Sequence, residues 1–331
     1  MAKTVLGIDV GYDSLKLALV KGRQVKKTAI VPMPNSLVRA GRIVSVETMG
    51  DLLRTAMKKK AIRCDRAALA LPNETVFIRN VTMPLMTEDQ LQYNLPFEFR
   101  DYITDELKGY VFDYAMLSGE EEPESEEHAG GSMQMMAVAA PKALLDESRE
   151  YLRKAGMKLV KAAPTVSCFQ NLIRKSGAPA DREYCILDLG YQAIRMYMFR
   201  GDRHIVTRVL EIGMSSLDQV LAEQYNVDEH LAHTYLLSNY EDCQNGESCR
   251  NAYGNITVEL MRALNFYRFS NPDSRLEDIW ICGGGARIKA LQQAITETMD
   301  MKIHPAGELL PDGQKVKHDY ALLQAIGIAL E

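Results

Sequence analysis

The sequence predicts an α/β protein of two related halves, with a small α+β module inserted into the first. Three observations carry this. A strand ending in Asp9-Val10-Gly11-Tyr12 recurs as Asp188-Leu189-Gly190-Tyr191. Helical and strand patterns alternate after each copy, the mark of the α/β class. Between the copies lies a block, about residues 68–158, with a different pattern.

The repeat keeps one register. Asp9, Gly11, Tyr12, Leu15, Lys16, Leu17, Leu19, Lys21 and Gly22 become Asp188, Gly190, Tyr191, Ile194, Arg195, Met196, Met198, Arg200 and Gly201. Self-similarity of this kind identifies a structural unit used twice. In the first copy Val5–Val10 is an apolar run, and Leu15, Leu17 and Leu19 then alternate with Lys16 and Ala18. Alternation is the period of a half-buried strand. Lys21-Gly22-Arg23 reads as a hairpin turn, and Val25–Val31 returns as a third strand. The second copy runs Tyr184–Leu189, Ile194–Phe199 and His204–Ile212, with its turn at Gly201-Asp202. Helices are expected over Ser45–Lys60, Ser215–Tyr225, Asp228–Ser238, Asn255–Phe269, Ile288–Thr298 and His318–Leu330. Ile279–Cys282 is a short buried strand leading into Gly283-Gly284-Gly285.

In the middle block, Ala68–Leu71 and Val76–Met83 read as strands around a Pro72-Asn73 turn. Thr87-Glu88-Asp89-Gln90 is a capping box that opens a helix, which Pro96 interrupts. Tyr110–Leu117 and Met133–Ala139 alternate as strands, and Lys142–Ala155 is a helix. The connection Gly119–Ser132 is rich in Glu and reads as an exposed loop. The expected division is residues 1–67, resuming over 159–183, for the first half, 68–158 for the insert and 184–331 for the second half.

Composition narrows the function. The 331 residues suffice for two or three domains, and 47% apolar with 25% charged residues suits a globular protein. A net charge of −5 is the reverse of a nucleic-acid binder's footprint. No apolar run approaches the roughly 20 residues that cross a bilayer, and the start lacks a signal-peptide pattern. The expected location is therefore cytoplasmic, with membrane association only through a partner. Cys64, Cys168, Cys185, Cys243, Cys249 and Cys282 are dispersed and form no zinc spacing.

A strand that ends in Asp-x-Gly before a tight hairpin suits phosphate. Glycine lets the backbone approach closely, and Asp can hold the hydration shell of Mg²⁺. Two such hairpins in identical register would clamp a polyphosphate between them. The triple glycine at a strand-to-helix turn would let a base or ribose lie against the backbone.

These three motifs, in this order, resemble the actin-like ATPase superfamily, whose halves are ribonuclease H-like. The correspondence covers Gly7–Lys16, Leu187–Arg195 and Cys282–Ile288. A closer resemblance is to the type IV pilus assembly PilM family, relatives of the division protein FtsA. It is carried by Gly7-Ile8-Asp9-Val10-Gly11 with Ser14 and Lys16, by Ala70-Leu71-Pro72 through Met83-Pro84, by Phe97–Ile103 and by Leu210-Glu211-Ile212-Gly213 with Leu217. It spans essentially the whole chain. The resemblance implies a cytoplasmic scaffold that binds ATP or ADP with Mg²⁺. It also implies a groove near the insert that takes the N-terminal peptide of an inner-membrane, PilN-like partner, and assembly with further copies into a ring. The phosphates would meet Gly11, Tyr12, Asp13, Ser14, Lys16, Gly190 and Gln192, with Gly213 nearby. Asp9 and Asp188 would organise Mg²⁺ through water. Gly283, Gly284, Gly285, Ala286, Arg287 and Ile288 would contact adenosine, and Glu259 and Arg262 ribose or base. Phe97, Phe99, Tyr102 and Ile103 are the candidates for the peptide groove.

The departures from the family bear on turnover. Tyr12 and Tyr191 stand where small hydroxyl residues are usual, and Met214 where a second glycine is usual. The connector Thr165–Arg174 lacks an acid to position water, leaving Ser167 and Gln170 as polar substitutes. The expectation is nucleotide binding with slow or no hydrolysis, at most a weak ATPase. A sugar or acid kinase of the same superfamily would need a base in that connector. An FtsA-like division protein would carry an amphipathic C-terminal anchor, which this sequence does not show. Other motifs read as structural. His230 and His233 share a helix face with no third ligand in telling spacing, hence a solvated face. Glu120–Glu127 is an acidic loop, Lys58-Lys59-Lys60 suits a helix end, and Met133, Met135 and Met136 suit a core strand.

Overall fold

Each copy of the repeat folds as an antiparallel meander. The computed structural model describes residues 3–34, 37–39, 41–117, 131–177, 179 and 181–330. In the first copy β1 (Thr4–Val10), β2 (Ser14–Lys21) and β3 (Gln24–Pro32) pair in order. A short ribbon follows, β4 (Val38–Arg39) and β5 (Arg42–Ile43), then α1 (Val46–Lys59), capped by the Ser45 hydroxyl. Next come β6 (Arg66–Leu71), β7 (Phe77–Pro84), α2 (Glu88–Asn94), β8 (Tyr110–Met116), β9 (Ser132–Pro141), α3 (Lys142–Lys154), β10 (Lys158–Pro164) and α4 (Thr165–Ser176). The second copy is β11 (Glu183–Leu189), β12 (Ile194–Arg200) and β13 (Arg203–Leu210). It is followed by α5 (Ser215–Tyr225), α6 (Glu229–Ser238), α7 (Glu247–Ser270), β14 (Asp278–Cys282), α8 (Lys289–Thr298), β15 (Lys302–Pro305) and α9 (Leu323–Ala329).

The two five-stranded sheets have the same order, β3-β2-β1-β6-β10 and β13-β12-β11-β14-β15. The likeness extends to register. Asp9 lies opposite Lys16 as Asp188 lies opposite Arg195. Even the irregularity is shared: the ladder to the third strand shifts between Leu19 and Val20, and between Met198 and Phe199.

Both sheets are covered on both faces. Leu6, Ile8, Leu15 and Leu17 pack outward under α1 and α3. Cys185, Leu187, Ile194 and Met196 pack outward under the helices of the second half. The inward faces meet α4 and α9, which lie between the sheets and form one core from both halves. Two close approaches fix this junction. A Cβ on Gly7 of β1 would overlap the Ala325 carbonyl of α9. A Cβ on Gly327 of α9 would stand 2.8 Å from the carbonyl carbon of Cys168 in α4.

A separate three-stranded sheet, β7-β9-β8, carries its own small core with α2 and the 3₁₀ turn Leu95–Phe99. The capping box forms: Gln90 N–H donates to the Thr87 hydroxyl and Thr87 N–H to the Gln90 side chain. Pro96 converts the helix to that 3₁₀ turn.

Three expectations are revised. Ala68–Leu71, read with the insert, is β6, paired in parallel with β1 and β10 in the first large sheet. A continuous apolar run buried on both faces is the signature of such a strand. Helix α7 starts at Glu247, earlier than Asn255, because Cys249, Ala252, Tyr253 and Ile256 extend its buried stripe. The closing segment is broken into a 3₁₀ turn, Asp319–Ala321, and α9, since His318 sits at φ +58 and the Tyr320 carbonyl accepts from Gly283 N–H. Of the Glu-rich connection Gly119–Ser132, residues 119–130, including the run Glu120–Glu127, lie outside the described residues. Among the described residues no helix is long and apolar enough to cross a membrane.

Gly327→Ala will destabilise the protein by about 1–3 kcal/mol, the cost of overpacking a tight contact. Gly254→Ala, mid-helix and with nothing within 4 Å of the added carbon, will stabilise it by about 0.5–1 kcal/mol. Denaturant unfolding of the two variants measures both.

Candidate functional site

The tips of the two equivalent hairpins face one cleft, open to solvent. Asp9, Gly11, Tyr12, Asp13, Ser14 and Lys16 line it from the first half. Asp188, Gly190 and Gln192 line it from the second, and Gly283, Gly284, Arg287 and Ile288 from the glycine turn. Gly283 is required by its conformation: its φ is +87, and a Cβ there would press on Leu189 N at 2.7 Å and on the Asp188 carboxylate. Gly285 and Ala286 are buried behind the lining. Gly213 lies beneath, where a Cβ would overlap the carbonyl of Tyr191 in the second hairpin.

Glu259 and Arg262 are not brought to the lining. They pair with each other on α7, outside its buried stripe. Ser167 and Gln170 also face elsewhere, into a groove on the far side of α4, where the Gln170 amide donates to the Asp202 carbonyl. The α4 residue at the cleft is Thr165, whose hydroxyl donates to the Leu71 carbonyl. Tyr12 presents its ring to the cleft while its hydroxyl accepts from Gly41 N–H at 2.7 Å. Met214 fills the space its larger side chain demands: a Cβ on Gly285 would meet its thioether.

The charges are built symmetrically and used differently. Lys16 Nζ pairs with its cross-strand neighbour Asp9 at 3.3 Å. Arg195, the equivalent of Lys16, reaches across to Glu74 of the first half. Asp188 instead accepts from the Gln324 amide of α9 at 2.8 Å. Burial pushes the Asp188 carboxyl above its ordinary range, against the pull of Arg195 and Lys16.

His233 of α6, assigned by sequence to a solvated face, lines the cleft. Its Nε2 is 3.3 Å from Asp13 Oδ1 and its Nδ1 is 2.9 Å from Asp218 Oδ2. Tyr191 packs edge-on against its ring, with centroids 5.6 Å apart. Hydrogen bonds to Asp13 and then Asp218 outweigh burial and raise the imidazolium to about 9. The same contact holds Asp13 below the usual carboxylate range. Arg195 was legible as the repeat-mate of Lys16. His233, Glu74 and Gln324 carry no local signal.

The residues fit a polyphosphate with a planar base. Lys16 and Arg195 reach the cleft from the second strand of each hairpin, and a glycine turn closes one wall. Among the described residues no three His, Cys, Asp or Glu side chains gather to hold a metal directly.

The peptide-groove candidates separate. Phe99 and Ile103 are core residues of the three-stranded sheet. Phe97 and Tyr102 are exposed, under the guanidinium groups of Arg100 and Arg79. One groove beside this module lies elsewhere, between β8, β10 and α4. Both strands are outermost in their sheets, so each offers one unpaired edge. Val111, Met116 and Val160 are exposed along it.

The family model described as "Type IV pilus assembly protein PilM" matches residues 7–330. A solved PilM-PilN type IV pilus biogenesis complex is similar, with a TM-score of 0.82 at 24% identity, over 99% of this chain and 98% of that one. The ethanolamine utilization protein EutJ from Carboxydothermus hydrogenoformans follows with a TM-score of 0.62 at 14% identity, over 100% and 90%. An archaeal actin homolog solved in complex with ADP has a TM-score of 0.53 at 13% identity, over 99% and 98%. The fold is therefore the actin-like one. No curated protein matches the sequence.

The Asp13–His233–Asp218 contact makes stability depend on pH. His233 rises from an ordinary 6.5 to about 9, so its stabilisation is full below 6.5 and is lost as pH climbs through 9. Wild type will exceed His233→Gln by about 2 kcal/mol at pH 6, with the gap closing by pH 10 in urea unfolding.

Proposed function

The chain belongs to the type IV pilus assembly protein PilM family, and from that membership we propose that it is a nucleotide-binding scaffold of a pilus assembly machine. ATP or ADP occupies the cleft between the hairpins. The observation that carries this is the paired presentation of Asp9 with Lys16, and Asp188 with Arg195, from equivalent positions into one cleft. Lys16 and Arg195 meet the phosphates, and the Gly283–Ile288 turn takes the adenosine. Asp9 and Asp188 hold Mg²⁺ through its waters. Turnover is slow, because α4 brings Thr165 and no carboxylate to the cleft.

The scaffold recruits an extended peptide from the N-terminus of an inner-membrane, PilN-like partner, and is held through it at the inner face of the membrane. The solved relative in complex with PilN supports the partner. The groove between β8 and β10 supports the site, because two open strand edges beside Val111, Met116 and Val160 can take a further strand. The recruiting groove thus lies at the border of the inserted module, between the outer strand of its β7-β9-β8 sheet and β10 of the first half.

Calorimetric titration of the wild type with ATP and Mg²⁺ will give a saturable heat. Lys16→Ala will weaken binding about tenfold or more, the loss of a charge-assisted contact. Absence of heat and of thermal shift at millimolar ATP would sink the nucleotide reading. For the partner, Val160→Glu and Val111→Glu will abolish capture by an immobilised PilN N-terminal peptide, while the exposed Phe97→Glu will leave it intact. The reverse pattern would move the site to the aromatic face of the module.

A further inference from the structure

The carboxylates and cations around the cleft are already joined. Lys16 is with Asp9, Arg195 with Glu74 and His233 with Asp13. A polyphosphate must exchange carboxylate for phosphate at any of these cations. The three pairs differ in what exchange leaves behind. Arg195 and Glu74 join the two halves, so parting them removes a bridge. Lys16 and Asp9 are neighbours in one hairpin, with side chains only 16% and 14% exposed, so the released Asp9 stays close to the phosphate. His233 alone holds a second carboxylate, Asp218, which is wholly buried behind it. Asp13, on the hairpin tip, has a side chain 47% exposed and can return to water when released. The dry carboxylate keeps the ring charged and oriented, and the wet one is the exchangeable partner.

We propose that His233 is a further anion-binding residue of the cleft: an imidazolium held from behind by Asp218, whose Nε2–H passes from Asp13 to a phosphate oxygen of the bound nucleotide. The assignment rests on the reading of the cleft as a nucleotide site. The ligand class is a polyphosphate, with no demand on the base, so ATP, ADP and inorganic tripolyphosphate should all engage the residue. The groups facing His233 are Asp13 from the first hairpin, Asp218 from α5 and Tyr191 from the second hairpin. Two of these three are carboxylates and none is a competing cation. The ring thus stays charged across neutral pH, consistent with its rise to about 9.

The test titrates the full chain with ATP, with ADP and with tripolyphosphate, in the presence of Mg²⁺, by calorimetry. His233→Gln will weaken all three about tenfold. Asp13→Asn will tighten all three several-fold, and the gain will shrink in the double variant. Wild-type affinity will be level from pH 6.5 to 8 and fall above about 9. Binding by His233→Gln as tight as, or tighter than, that of the wild type would overturn the proposal and leave the contact a simple latch. A wild type that binds none of the three ligands overturns the nucleotide reading and this assignment together, whereas a binding wild type with an indifferent His233 overturns this assignment alone. Should a variant fail to fold, the His233 ring resonance of the wild type decides. Its shift on adding tripolyphosphate supports the exchange, and an unmoved resonance in a protein that binds tripolyphosphate refutes it.

Discussion

The architecture depends on backbone touching backbone at the junction of the halves. Gly7 lets the carbonyl of Ala325 lie against β1, and Gly327 lets α9 lie against the carbonyl of Cys168 in α4. No side chain separates these elements, so the seating of α9 on the first sheet and against α4 is set by main-chain contact, which yields little. Gln324 precedes Ala325 and holds Asp188 at the floor of the cleft. The contact that seats α9 on the first sheet and the contact that orients a carboxylate of the second half are therefore one helical step apart.

Duplication produced two hairpins with the same register, but their charges serve different ends. Lys16 stays with Asp9 inside its own hairpin. Arg195 is longer and its guanidinium spans the cleft to Glu74, while Asp188 turns to an amide. Lysine at one of the two equivalent positions makes an internal pair, and arginine at the other a bridge between halves. With Asp13 and His233 on another wall, charged contacts join the halves around the cleft.

What was legible in the sequence was local or repeated. The meanders, their turns, the capping box at Thr87 and the glycine turn at Gly283 all follow from short-range rules, and they place most of the cleft's lining. What was not legible depends on packing. Phe99 and Ile103 belong to an aromatic and aliphatic stretch that suits a groove or a core equally, and the small sheet took them as its core. The spacing of Glu259 and Arg262 is helical, but helical spacing does not say which face meets the ligand. His233 looked like part of a solvated pair because its partners, Asp13 and Asp218, are distant in sequence and come from different elements. Ala68–Leu71 is short and apolar, and only its neighbours in space, β1 and β10, settle its sheet.

The shared irregularity in the meanders has a consequence for crowding. Strands β3 and β13 are the outermost members of their sheets, the places where one molecule can zip onto another. In each, the ladder to the inner neighbour slips at the same step, and a slip of this kind bends and twists the strand. A bent border makes a poor template for uncontrolled stacking. One copy of the chain can thus approach another without zipping onto it along these margins, and both halves carry the same safeguard.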